Sequence, residues 1–443
     1  MVTVSLLVFG TVLLALALVD RAMRRLPLTP AVLYLGVGWG AGAVLGAPSS
    51  GDITQHLPAL VLATELAVLL SLMAVGLRLR APLRLGTWRV ALLLAGPGMV
   101  VTVLLGMLAA AWLLDMPWPL ALLLAAVMSP TDPVLASEVQ IRSDADRDAV
   151  RLSLTAEGGL NDGSALPAVM LALGLMGLHT LGPGLTGWAW DDLVWPIGGG
   201  ALVGMALGAG LGHLMRQRLL HGERLARDEL LYVGTVVLGF GLARMLHCSS
   251  FVVVFAAATL LLWRVDDDSV PGATDPALSK RLHAFGARIE RLIEAATVLA
   301  VGVALHSVPI TPQALAFGAV LVLVVRPLSV LAVVRRDTLA PAQRRLLAWF
   351  GIRGVGTLFY LAFALEHGVV GALAEELIGA ALAGIALSIV LHGVSATPLM
   401  TAYQRRRPGR PADAQPAPPA PPPPEQAPPK QSPPKQSPPA PGS

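Results

Sequence analysis

Hydrophobic residues in this chain run in long blocks, and polar residues collect in the short joints between them. Blocks of roughly 17 to 25 residues suit helices that cross about 30 Å of hydrocarbon at 1.5 Å per residue. Thirteen can be marked, at about 3–19, 28–47, 57–77, 90–114, 117–137, 151–178, 193–215, 229–246, 249–264, 289–306, 311–334, 346–366 and 373–400. Only His247 and Cys248 part the eighth from the ninth. The pattern predicts an all-α polytopic membrane protein with about 13 transmembrane helices.

Composition agrees with this reading. Hydrophobic residues make up 55% of the chain and charged residues 14%, against about a quarter charged in soluble domains, and the mean hydropathy is +0.68. Charge then tests the span count. Of the 32 lysines and arginines, all but Arg244, Arg326 and Arg353 fall beside the odd-numbered joints or in the C-terminal tail. Such alternation is the positive-inside rule, and a missed or invented span would break it. It predicts an outside N-terminus and a cytoplasmic C-terminus. It also accounts for the pI near 9.6 without nucleic acid, since nucleic-acid binding needs a basic face on a soluble domain.

The first span reads as a retained helix, because no positive segment precedes it and Asp20-Arg21 follows where a cleavage site would need small residues. Residues 404–443 read as a disordered tail, carrying sixteen of the 36 prolines from Pro408 onward and repeating Gln-Ser-Pro-Pro. The single cysteine, Cys248, excludes an internal disulfide and reads as a small buried residue.

Charges inside the spans carry the candidate chemistry. A carboxylate at hydrocarbon depth is costly unless a partner, a cation or a water-filled cavity compensates it, so it marks a functional site by default. Span six holds Glu157, Asn161 and Asp162. Span five ends Ser-Pro-Thr-Asp-Pro, and Pro130 and Pro133 should open the helix near Thr131 and Asp132, since each removes a hydrogen-bond donor and clashes with the preceding turn. The freed carbonyls, with the Thr131 and Asp132 oxygens, suit a hard monovalent cation. Span twelve surrounds Arg353 with three glycines, Gly351, Gly354 and Gly356, and is expected to be interrupted too. Spans five and twelve run in opposite directions, and two broken helices at matching places of inverted repeats point to a transporter's midplane site.

Glu157 and Asn161 share one helix face while Asp162 turns away, so one carboxylate can meet a structural partner while the other meets the cavity. Arg326 in span eleven is the expected partner of Glu157, in fork geometry. Glu65 lies at mid-depth in span three and Glu294 near the inner end of span ten. The histidines His56, His179, His306, His367 and His392 fall at outer span ends and read as interfacial anchors; no pair has metal-ligand spacing, so no transition-metal site is expected.

Together, Ser-Pro-Thr-Asp-Pro, Glu-Gly-Gly-Leu-Asn-Asp-Gly, Val-Val-Arg-Pro and Gly-Ile-Arg-Gly resemble the NhaP/NHE branch of the monovalent cation:proton antiporters, over residues 1 to 403. The resemblance implies thirteen helices, a core with two unwound crossing helices (spans near 57–178 and 289–400), and remaining spans that serve dimerisation. It implies Asp162 as the substrate carboxylate with Asn161 beside it, Thr131 and Asp132 as contributors from the unwound helix, and Glu65 as a further acidic contributor. It implies Glu157 with Arg326 as a structural salt bridge, and Arg353 and Glu294 as residues of the pH response. Some members place a serine ligand after the glutamate, where this chain has Gly158.

The implied activity is exchange of sodium, or lithium, for a proton by alternating access. Proton and cation compete for Asp162, and the exchange is electroneutral because Asn161 stands where the electrogenic branch has a second aspartate. No cofactor is implied; a homodimer and a bacterial inner-membrane location are. Potassium/proton exchange is the alternative within the class. An intramembrane aspartyl protease is the rival from another class, weakened because Gly-Leu-Asn-Asp stands in place of Gly-x-Gly-Asp and no Tyr-Asp motif occurs.

Overall fold

A computed structural model describes residues 28–46, 56–79, 85–141, 146, 148–221, 228–265, 276–335 and 338–406, with Gly10 and Leu14. Apart from Gly10 and Leu14, the first span lies outside the described residues, as do the tail beyond Arg406 and several of the basic joints. Among the described residues the regular structure is helical, with no strand.

In chain order the helices are α1 (Pro30–Leu45), α2 (Leu57–Arg78), α3 (85–113, with a π-helical turn at Leu94–Gly98) and α4 (Trp118–Val127). Then come α5 (Ala149–Leu175), α6 (Trp195–Leu220), α7 (Asp228–Leu246), α8 (Ser250–Val265) and α9 (Pro276–Ala304). The last four are α10 (Pro312–Val333), α11 (Pro341–Trp349), α12 (Val355–Glu366) and α13 (Ala372–Arg405). Each described span of the sequence reading contains one of these helices, and span twelve contains two.

Among the described residues, six helices are long and apolar enough to cross a membrane by length and composition; α1, α4, α8 and α12 are apolar but shorter. Large apolar side chains such as Trp112, Leu202, Leu230 and Val237 stand exposed on α3, α6 and α7, as a lipid-facing surface requires. The polar helix α5 is treated differently. Residues 150–163 are buried apart from Arg151's neighbour Leu152 and Leu160, and α2, α3, α4, α8, α11 and α12 pack around them. The face of this helix carrying Glu157, Asn161 and Asp162 is thus shielded from hydrocarbon.

Two boundaries depart from the hydropathy reading. Span ten was expected at 289–306, but α9 already begins at Pro276. The added segment is amphipathic: Leu278 and Leu282 are buried, Arg281 pairs with Asp228 of α7, and the His283 ring lies 2.9 Å from the Leu77 carbonyl. Hydropathy misses such a segment because its charges mask the buried stripe. The two-residue joint between spans eight and nine is present, and His247 turns it with φ 54°. Elsewhere α6 and α8 meet at small residues: a Cβ on Gly204 or Gly208 would strike the Val253 or Ala257 carbonyl, the close backbone approach common between membrane helices.

Candidate ion site

Span five stays helical only to Val127, and no helix covers residues 128–136. Span twelve stops at Trp349 and resumes at Val355. The two interruptions touch, the Asp132 N–H donating to the Ile352 carbonyl at 2.7 Å.

Each interruption compensates the other. A helix end leaves unpaired carbonyls with partial negative charge, and a helix start leaves unpaired N–H groups with partial positive charge. Past the end of α4, the carbonyls of Ser129 and Pro130 both accept from Arg353, the latter at 2.9 Å. At the start of α12 the Val355 N–H donates to Asp132 Oδ2 at 2.5 Å, while Asp132 Oδ1 accepts from the Val134 N–H at 2.7 Å. The freed carbonyls of Ser129 and Pro130 thus accept from an arginine, and Asp132 caps α12 with each of its oxygens accepting one backbone N–H.

Helix α5 runs past the interruptions, its own start capped by Asp148, which accepts from the Val150 and Arg151 N–H groups at 2.9 and 3.0 Å. Two turns on, Arg326 of α10 grips both Glu157 oxygens, at 2.5 and 2.8 Å, and donates through Nε to the Phe350 carbonyl at 3.0 Å. The pair therefore ties α5 and α10 to the chain leaving α11. Asn161 donates from Nδ2 to Thr131 Oγ1 at 2.6 Å. Its Oδ1, and Oδ1 of Asp162, are buried without a hydrogen-bond partner among the described residues. The Tyr360 hydroxyl donates to the Asp162 backbone carbonyl.

Gly356, in the first turn of α12, approaches so closely that an added Cβ would overlap Asp162 Oδ1. Gly356→Ala is expected to displace the Asp162 carboxylate and lower transport at least about tenfold, since a misplacement near 1 Å costs about 100-fold in preorganised sites. A wild-type rate in vesicles at equal protein level would contradict this close approach.

A small cavity opens between the two interruptions, with about 10 Å³ for the centre of a water-sized sphere, room for a single water or a bare cation. Thr131, Asp132, Gly158, Gly351 and Ile352 line it, and so does the fully buried Gln140. The missing hydroxyl at Gly158 therefore lies on its wall. Gln140 Oε1 accepts from Arg78 at 2.9 Å, and Arg78 also pairs with Glu290 of α9. The sequence reading assigned no role to Gln140 or Glu290 and counted Arg78 only as a joint charge. Glu290, one turn before Glu294 on the same face, is the buried acid of α9; Glu294 is half-buried.

Glu65 is buried, but among the described residues no hydrogen bond joins it to Asp132, Asn161 or Asp162. It accepts from Arg244 and from the Ser250 hydroxyl, both at 2.8 Å, so it is committed to α7 and α8, and Arg244 has its partner. His392 also departs from expectation: far from an interfacial anchor, it is 1% exposed and packed against Trp349 and Phe350.

The transmembrane model of the sodium/hydrogen exchanger family matches residues 9–402. The K(+)/H(+) antiporter NhaP of Alkalimonas amylolytica is 27% identical over 409 residues, covering 90% of this chain and 66% of that protein. The Na(+)/H(+) antiporter 2 of Zygosaccharomyces rouxii is 30% identical over 166 residues, 34% of this chain and 20% of that one. The chain thus spans just under two thirds of the first relative and a fifth of the second. Among solved structures, an electron-microscopy structure of the sodium proton antiporter MjNhaP1 from Methanocaldococcus jannaschii matches with a TM-score of 0.71 at 18% identity, covering 93% of this chain and all of that one. The same antiporter at pH 8 matches with a TM-score of 0.68, also at 18% identity, covering 90% and 98%. Matched over nearly its whole transmembrane part, the chain belongs to the sodium/hydrogen exchanger family of membrane transporters.

Proposed function

We propose that this chain exchanges a monovalent cation for a proton, with Asp162 as the shared site. The observation that carries the reading is the pair of buried, unpartnered oxygens on Asn161 and Asp162, beside two interrupted helices whose ends are met by Arg353 and Asp132. Such oxygens are costly unless a cation or proton arrives. In this reading Asn161 and Asp162 touch the ion directly. Thr131 orients Asn161, Asp132 and Arg353 hold the interruptions together, and Glu157 with Arg326 holds the frame. Spans five and twelve act as the crossing pair of inverted repeats, the N-terminus is outside, and the spans outside the core form a homodimer interface.

Asp162 crosses either protonated or cation-loaded. The bare anion is excluded because nothing compensates it in a low dielectric. One carboxylate carries one charge per cycle, so exchange is one-for-one and electroneutral. Sodium, with lithium, is the first substrate. Potassium is the second reading, favoured by the relative named a K(+)/H(+) antiporter.

Everted vesicles loaded with a pH-sensitive dye test this directly. Addition of sodium should dequench the dye at a rate unchanged when the membrane potential is clamped. Lithium and potassium in the same assay rank the substrates. Dependence of the rate on the clamped potential would overturn electroneutrality, and dequenching by potassium alone would overturn the sodium assignment. Competition for one site also sets the pH response. As pH falls, the apparent KM for the cation should rise, by up to about tenfold per unit, the limit for one proton displaced per cation. A KM that stays flat with pH would exclude a shared site.

A further inference from the structure

Asp162 sits in a stretch of α5 that is a poor helix by composition. Gly158, Gly159 and Gly163 are weak helix formers, and Pro167 offers no N–H to the Gly163 carbonyl one turn back. Packing explains two of these glycines: an added Cβ on Gly159 would strike the Phe255 ring of α8, and one on Gly163 would strike Val252. Side chains then supply extra donors to the carbonyls of this stretch. The Ser164 hydroxyl donates to the Asn161 carbonyl at 3.1 Å, the Trp188 indole N–H to the Pro167 carbonyl at 2.7 Å, and the Tyr360 hydroxyl to the Asp162 carbonyl.

Of these three donors, Tyr360 alone comes from α12. It lies one turn after Gly356, on the same helix face. That face meets Asp162 twice, Gly356 abutting the carboxylate at Oδ1 and Tyr360 holding the main-chain carbonyl. The Leu166 N–H, the ordinary helical partner of that carbonyl, also faces the Tyr360 hydroxyl. The phenol is fully buried, and its ring makes edge contacts with Phe359 and with Phe251 of α8, at centroid distances of 4.9 and 6.1 Å. Aromatic packing therefore sets where the hydroxyl is delivered, and the hydroxyl ties α12 to the one turn of α5 that carries Asp162.

We propose that Tyr360 is a positioning residue for the cation: its hydroxyl fixes the Asp162 main chain so that the carboxylate and Asn161 Oδ1 converge on one point. A binding constellation works only when its groups are held to within about 0.5 Å. A cation shedding its hydration shell needs several oxygens at set distances, whereas a proton needs one. Loss of the hydroxyl therefore weakens cation binding more than it alters protonation. The inference rests on Asp162 being the shared site, and it gives Tyr360 no contact with the ion.

Tyr360→Phe deletes one oxygen and keeps the ring. The purified full chain is titrated with sodium chloride, and separately with potassium chloride, against choline chloride at one alkaline pH. The cation concentration giving half the thermal shift is read beside KM in proteoliposomes. In Tyr360→Phe both should rise about three- to tenfold, the range one neutral hydrogen bond carries, with the maximal rate and the cation-free melting temperature close to wild type. Trp188→Phe removes a donor to the same helix beyond Asp162 and should leave half-saturation unchanged. Incorporating 4-aminophenylalanine at position 360, which keeps a donor, should restore the wild-type value. Wild-type half-saturation in Tyr360→Phe overturns the proposal. So does equal weakening in Trp188→Phe, or failure of Tyr360→Phe to accumulate, since either assigns the hydroxyl to general helix support. If neither cation shifts the wild-type melting temperature, the shared-site reading fails and takes this inference with it. A wild-type shift that Tyr360→Phe leaves unaltered removes the inference alone.

Discussion

Asp162→Asn is expected to abolish cation-driven proton movement while the protein still folds and inserts. Asparagine is isosteric, and Asp162 Oδ1 has no protein donor to lose among the described residues. An amide cannot release a proton in the working pH range, so the neutral-or-loaded alternation on which exchange depends disappears. The rate should fall to the background of vesicles without the protein. Stability should move the other way, because an uncompensated carboxylate at this depth costs several kcal/mol and the amide does not. Wild type should gain thermal stability with rising sodium, as any ligand of the native state produces, and the Asn variant should not. Retained dequenching in Asp162→Asn would end the shared-site scheme.

The second large effect concerns the frame. Glu157→Ala or Arg326→Ala leaves one charge buried among groups arranged for the other, and breaking a buried pair in this way costs about 3 to 5 kcal/mol. That is a large part of the roughly 5 to 15 kcal/mol by which proteins are stable. Each single variant should therefore accumulate poorly and elute as aggregate in fluorescence-detected size exclusion. Removing both charges, as Glu157→Leu with Arg326→Met, should recover much of the protein, since apolar replacement of a buried pair is often neutral. Recovery should be incomplete, because Arg326 also donates to the Phe350 carbonyl. Normal levels and melting temperatures in both single variants would refute the frame role.

The residues differ in how far their roles could be read from order alone. Pro130 and Pro133 weaken the helix by two donors within three residues, and span five stops being helical at Val127, whereas single prolines such as Pro167 and Pro398 lie inside continuous helices. Glu157 and Arg326 were matched because a buried guanidinium has few acceptable partners in so apolar a chain. Glu65 was singled out by depth and given an ion-site role by the resemblance, and neither says which neighbour a side chain faces; in the structure it meets Arg244 and Ser250. His392 was assigned by its nearness to a span end, yet the protein buries it there against Trp349 and Phe350. Gln140 and Glu290 carried no signal at all, since one is a neutral residue in a joint and the other sits in a charged segment that hydropathy passes over.

By itself, then, the sequence determined the helical class, the approximate positions of most helices among the described residues and the motifs that mark the family. These depend on local quantities: the cost of exposing backbone to lipid, the length of an apolar run and the chemistry of proline. The tertiary structure alone decided that Arg353 answers the end of α4, that Asp132 answers the start of α12, and that His392 lies behind both. Those pairings join residues more than 200 positions apart in the first two cases, and they are set by which helices lie against one another. Periodicity tells which face of a helix is polar, whereas packing chooses what that face meets.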